Sequence, residues 1–116
     1  MYTTLLVTIE EEICIITVNR PDKMNALNRE VFNDLDAVMD EVYHNSAIRS
    51  AIITGAGSKA FVAGADISEF LELNGEQAIA LAKRGQVVFD KIENAPKPVV
   101  AAVHIRDGDA GQLLVR

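Results

Sequence analysis

A chain of 116 residues suits one small domain with a modest core, and a hydrophobic content of 49% argues against disorder. Trp is absent and aromatics are only 5%, so that core has to be built from Val, Ile, Leu and Ala. A net charge of −6 disfavours nucleic acid as the main partner, because phosphate binding needs a basic surface.

The single cysteine, Cys14, lies in an apolar run. It has no intrachain partner, which fits a reducing compartment, and a buried inert thiol is expected there. No apolar stretch approaches the roughly 20 residues needed to span a bilayer. The N-terminus lacks the basic and apolar regions of a signal peptide. Cytoplasm is the expected location.

Leu5 to Ile9 and Ile13 to Val18 read as two strands. The intervening Glu10, Glu11 and Glu12 predict a solvated hairpin turn, not an acidic site. Pro21 ends the second strand by fixing φ and removing a donor. The loop then runs to Asn28, a good N-cap. Beyond it Val31, Phe32, Leu35, Val38, Met39, Val42 and Tyr43 recur at the spacing of one buried helix face. His44, near the helix end, is expected to meet the helix dipole or water.

Ala51 to Thr54 read as a third strand, followed by Gly55-Ala56-Gly57-Ser58-Lys59. That run lacks the Gly-Lys pair of a Walker loop and does not fit a Rossmann fingerprint. Asp66 and Glu69 then have the spacing of a capping box. A helix starting there offers unpartnered N–H groups, and small residues at 63, 64 and 65 admit a ligand close to the backbone. Such an end suits negative charge developing on a carbonyl oxygen. A short helix is expected to stop at Asn74, with Gly75 as terminator. Glu76 to Glu93 predict another helix with Ile79, Ala82, Val88, Phe89 and Ile92 inward; Gly85 costs it about 1 kcal/mol unless it allows close packing. Asn94 to Pro98 form a rigid turn, and Val99 to Val103 a fourth strand, parallel to the third through the helical crossover.

Three stretches together resemble the crotonase (enoyl-CoA hydratase/isomerase) superfamily, closest to short-chain enoyl-CoA hydratases. They are Asn19-Arg20-Pro21 with Asn25-Ala26-Leu27, Phe61-Val62-Ala63-Gly64-Ala65-Asp66-Ile67-Ser68-Glu69, and Pro96-Lys97-Pro98 with the apolar run to Val103. The resemblance implies an α/β chain forming the N-terminal part of a crotonase-like ββα spiral over residues 1–103. It implies that the Ala65 N–H is an oxyanion-hole donor to a thioester carbonyl. Ala63, Gly64, Asp66 and Ile67 would line the substrate beside it. In the first stretch Met24 and Ala26 would border the pantetheine or adenine, and Lys23 would approach a phosphate; a solvated Lys23 fits equally well. No metal and no covalently bound cofactor is expected, coenzyme A being part of the substrate. The partner implied is an acyl-CoA thioester, and the family's assemblies imply a homo-oligomer.

Residues 104–116 leave the family pattern and are expected to be a divergent tail, disordered or remodelled. Aligned without gaps, the family's second oxyanion glycine falls on Ala110 and the first catalytic glutamate of the hydratases on Leu113. The second glutamate and the C-terminal helices that trimerise would lie beyond Arg116. The expected function is therefore acyl-CoA chemistry of the hydratase type without turnover by this chain. The alternative is a non-catalytic fragment that associates with a full-length homologue.

Overall fold

The computed structural model describes residues 2–20, 25–56, 73–103 and 112–115. In chain order the elements are β1 (Leu5–Glu10), β2 (Ile13–Val18), α1 (Arg29–His44), β3 (Ser50–Gly55), α2 (Gly75–Glu93), β4 (Val99–Val103) and β5 (Gln112–Val115). The strands form one sheet in the order β1-β2-β3-β4-β5. β2, β3 and β4 are parallel; β1 and β5 are antiparallel at the two edges. This is the expected α/β architecture. β5 is an addition, since the alternation that would announce a strand is absent from the glycine- and aspartate-rich run before it.

The β1–β2 hairpin turns on Glu11 and Glu12, at φ 50° and 69°, with Glu10 paired to Ile13. A two-residue loop with both residues left-handed matches the right-handed twist of its strands. In register, Leu5, Val7 and Ile9 share a face with Val18, Ile16 and Cys14, and Ala51, Ile53 and Gly55 continue it. Cys14, Ile16, Val18, Ala51 and Val99 are buried on that face, in one core with Val31, Leu35, Val38, Met39 and Val42 of α1. Each parallel connection runs through a helix between neighbouring strands, and right-handed crossovers of this kind put both helices on one side. The opposite face carries Ile13, Ile15, Ile52 and Val100, all half-buried, and Leu6, which is exposed.

Asn28 caps α1 as expected, its side chain accepting from the Val31 N–H at 2.9 Å. Asp34 on the first half of α1 accepts from both the N–H and the hydroxyl of Thr4, at 2.8 and 2.7 Å. That tie fixes the entry to β1 against the helix.

Two expectations for α2 need correction. Gly75 is its first residue, not the terminator of an earlier helix: Asn74 is the N-cap, in a reciprocal capping box with Gln77. A box of this kind satisfies two otherwise orphaned N–H groups. The buried line is Leu81, Gly85 and Val88, while Ile79 and Phe89 are 59% and 44% exposed and Ala82 also faces outward. The helix is turned so that Gly85 meets α1. A Cβ there would lie 2.8 Å from Cζ of Phe32, so glycine sets how closely the two helices approach. Phe89 then lies across the edge of the Phe32 ring, with centroids 5.9 Å apart and planes at 90°.

Candidate functional site

The parallel strands β2, β3 and β4 all finish at the same end of the sheet, where open α/β sheets bind ligands. The loop leaving β2 is built around Asn25. This residue is fully buried and sits at φ 58°, a left-handed conformation that Asn tolerates better than most residues. Its N–H donates to the Arg20 carbonyl at 2.7 Å, and its Oδ1 accepts from the Arg20 N–H at 2.8 Å. The loop is thus closed on itself by a reciprocal pair. Arg20 also donates from Nη1 to the Ala26 carbonyl at 2.6 Å, which holds a guanidinium beside the loop.

The third polar group of Asn25 reaches the next strand. Nδ2 donates to the Ala56 carbonyl at 2.9 Å, where the chain leaves β3. The Ala56 N–H donates to the Val18 carbonyl at 2.8 Å. Ala56 is therefore held on both sides, once by the last residue of β2 and once by Asn25. One strand further on, the Thr54 hydroxyl donates to the Ala102 carbonyl at 3.0 Å. Hydrogen bonds therefore tie the ends of all three parallel strands together.

Of the residues expected in a site, Ala26 lies in this loop, half-buried beside Asn25. Lys23, Met24, Ala63, Gly64, Ala65, Asp66 and Ile67 lie outside the described residues, as does the helix start at Asp66. Sequence pattern gives Asn25 no role beyond its place in the Asn25-Ala26-Leu27 stretch, and gives Ala56 none. A loop asparagine between Met24 and Ala26 was the available signal, because Asn is a preferred non-glycine residue at positive φ.

The titratable groups away from this end of the sheet have structural explanations. Asp36 and Asp40 on α1 pair with Lys91 on α2, and Arg84 bonds Asp36 at 3.0 Å. The Lys91 hydrogen bond, with help from Arg84, holds the Asp36 carboxyl below the usual carboxylate range, and the same Asp36 bond raises Lys91. Burial pushes the Cys14 thiol up, which fits an inert core cysteine. His44 contacts the Asp40 carbonyl through Nδ1 at 2.9 Å, on its own helix. Among the described residues no cluster of His, Cys, Asp or Glu has the arrangement of a metal site. No helix among them is long and apolar enough to cross a membrane.

Known proteins resemble this chain in sequence and in fold. The family described as enoyl-CoA hydratase/isomerase matches residues 8–114. A short-chain-enoyl-CoA hydratase of Clostridium acetobutylicum is 42% identical over 95 residues, covering 82% of this chain and 36% of that protein. A crotonyl-CoA hydratase of Syntrophomonas wolfei is 39% identical over 103 residues, covering 89% of this chain and 40% of that one. The crystal structure of an enoyl-CoA hydratase/carnithine racemase from Magnetospirillum magneticum superposes with a TM-score of 0.83 at 37% identity, over 90% of this chain and 40% of that one. An enoyl-CoA hydratase from Bacillus anthracis gives a TM-score of 0.85 at 29% identity, over 88% and 40%. The chain thus spans about two fifths of the length of these relatives.

Proposed function

Since the chain belongs to the enoyl-CoA hydratase/isomerase family, we propose that it carries the acyl-CoA-binding half of a hydratase-type site and binds a 2-enoyl thioester without turning it over. The observation that carries this reading is the family match over residues 8–114, with the loop of Asn25 and Ala26 fastened to the exit of β3. In the hydration that a complete site of this type would perform, water gives one proton to a base as its oxygen bonds to the β-carbon, and an acid delivers a proton to the α-carbon. Negative charge passes through the thioester oxygen as an enolate. The Ala65 N–H serves as one donor to that oxygen, and Lys23, Met24 and Ala26 border the coenzyme A moiety. Ala63, Gly64, Asp66 and Ile67 line the acyl end.

Proton movement needs a carboxylate at the reacting carbons. Leu113 stands where the ungapped pattern has the first glutamate, and a leucine side chain cannot accept or give a proton. General acid–base groups each contribute roughly 100- to 10,000-fold, so binding without catalysis is the consistent outcome.

The test is calorimetric titration of acetoacetyl-CoA into the chain, alongside crotonyl-CoA absorbance. Binding is expected, with no loss of the conjugated-thioester absorbance proportional to protein. Ala65→Pro removes the N–H and is expected to weaken acetoacetyl-CoA about 10-fold, the worth of about one net hydrogen bond. Absent binding would refute the reading; steady hydration would refute the inactive half of it; unchanged affinity in A65P would refute the donor assignment.

A second reading, a non-catalytic fragment that associates with itself or with a full-length homologue, is favoured by the apolar residues on the second face of the sheet. Ile13, Ile15, Ile52 and Val100 lie there at half burial, beside Leu6 at 53% exposure. Apolar surface of this kind favours association. Light scattering that gives a monomer mass at all concentrations would exclude self-association.

A further inference from the structure

Resting on the acyl-CoA reading, we propose that Asn25 is a positioning residue: it sets the separation between the loop that carries Ala26 and the exit of β3 at Ala56, the residue from which the sequence continues to Ala65. The argument is geometric. Asn25 uses three polar groups, two to close its own loop on Arg20 and one, Nδ2, to hold the Ala56 carbonyl at 2.9 Å. It is fully buried, so water cannot replace those partners, and its left-handed backbone at φ 58° is kept where few side chains are content. Because the Ala56 N–H is already held by Val18, the Nδ2 bond completes the hold on Ala56, at both its N–H and its carbonyl. A ligand gripped at both its nucleotide end and its acyl end gains from grips whose spacing is set in advance, since less ordering is lost on binding.

Three side chains separate the possibilities. Asparagine presents an acceptor to Arg20 and a donor to Ala56. Aspartate keeps the acceptor but faces the Ala56 carbonyl with a second oxygen, and two acceptors cannot bond. Glycine keeps the backbone conformation and loses both side-chain bonds.

The experiment titrates coenzyme A and acetoacetyl-CoA separately into the wild-type chain, Asn25→Asp and Asn25→Gly, with urea unfolding of each. The expected result is that coenzyme A affinity changes by less than about 3-fold in N25D, while the extra affinity contributed by the acetoacetyl group falls about 10-fold, the worth of about one net hydrogen bond. N25G should lose the same acyl increment, which covers the case in which the carboxylate of N25D impairs folding. Equal losses for both ligands, tracking the loss of stability, would mean that Asn25 only holds the fold together, and would overturn the inference while leaving the acyl-CoA reading intact. An undiminished acyl increment in both variants would overturn it too. A wild-type chain that binds neither ligand would remove the acyl-CoA reading and this inference with it, a pattern distinct from the other two.

Discussion

Replacing Gly85 by alanine tests how α2 is seated on α1. On an isolated helix the change is favourable by about 1 kcal/mol, because alanine loses less backbone freedom than glycine. In this fold the added methyl would lie 2.8 Å from Cζ of Phe32 and 3.2 Å from Cε1 and Cε2. The ring is 5% exposed and has Phe89 across its edge, so it has little room to withdraw. Moving it would also disturb an aromatic pair worth about 0.5–1.5 kcal/mol. Overpacking of this kind costs about 1–3 kcal/mol, so the net expectation for G85A is a destabilisation of about 1 kcal/mol. For a domain near this size that lowers Tm by about 4–8 °C. Urea unfolding followed by far-UV circular dichroism reads the change directly. In the background Phe32→Leu, which removes the ring, G85A should become neutral or stabilising. If G85A stabilised the wild-type chain by the full propensity gain of about 1 kcal/mol, the close approach of the helices at Gly85 would be wrong.

Glu12→Gly should stabilise by about 0.5–1 kcal/mol, since Glu12 sits at φ 69° and its exposed pair with Arg49 contributes little; a loss in urea midpoint would contradict this. Asp36 is held below the usual carboxylate range chiefly by its Lys91 hydrogen bond, so its contribution is complete above its unfolded value and disappears as pH falls through the lower folded one. Asp36→Asn should therefore cost stability at neutral pH and flatten the decline below about pH 4; parallel curves for the two proteins would argue against the linkage. Tyr43→Phe removes a hydroxyl donating to the Lys91 carbonyl at 2.6 Å and should cost about 1 kcal/mol by the same assay. Cys14 should react with an aromatic disulfide roughly 100-fold more slowly in the native protein than in urea, and equal rates would contradict its burial.

Much of the fold is legible in local pattern. The strands at Ile13–Val18 and Val99–Val103, the Asn28 cap and the buried stripe of α1 follow from period, capping chemistry and proline placement alone. The inward face of α2 does not. Its apolar residues cover more than one face, and Ile79, Ala82 and Phe89 compete with Leu81 and Val88 as the inner line. The choice is made by the smallest residue, Gly85, because the helix packs where a neighbouring ring can enter. Hydrophobicity does not register that preference. Asn74 was similarly obscured, since a glycine following an asparagine reads as readily as a helix end as a helix beginning, and Gln77 decides between them.

The site is legible to a lesser degree, for a related reason. Pro21 and Asn25 announce a turn, and a turn can be read from single residues. What joins this loop to the exit of β3 is that Val18 and Gly55 are paired across β2 and β3, which brings Ala56 to the loop. That register is a long-range fact: a one-residue slip would move every side chain of the strand to the other face and would also displace Ala56 from its two partners. The Asn25–Ala56 bond thus depends on the sheet pairing, and the sheet pairing depends on the apolar face that α1 covers. Core and candidate site are therefore coupled. A core substitution that shifts β2 against β3 should impair ligand binding even at a distance, whereas one confined to the exposed side of α1 should leave it alone.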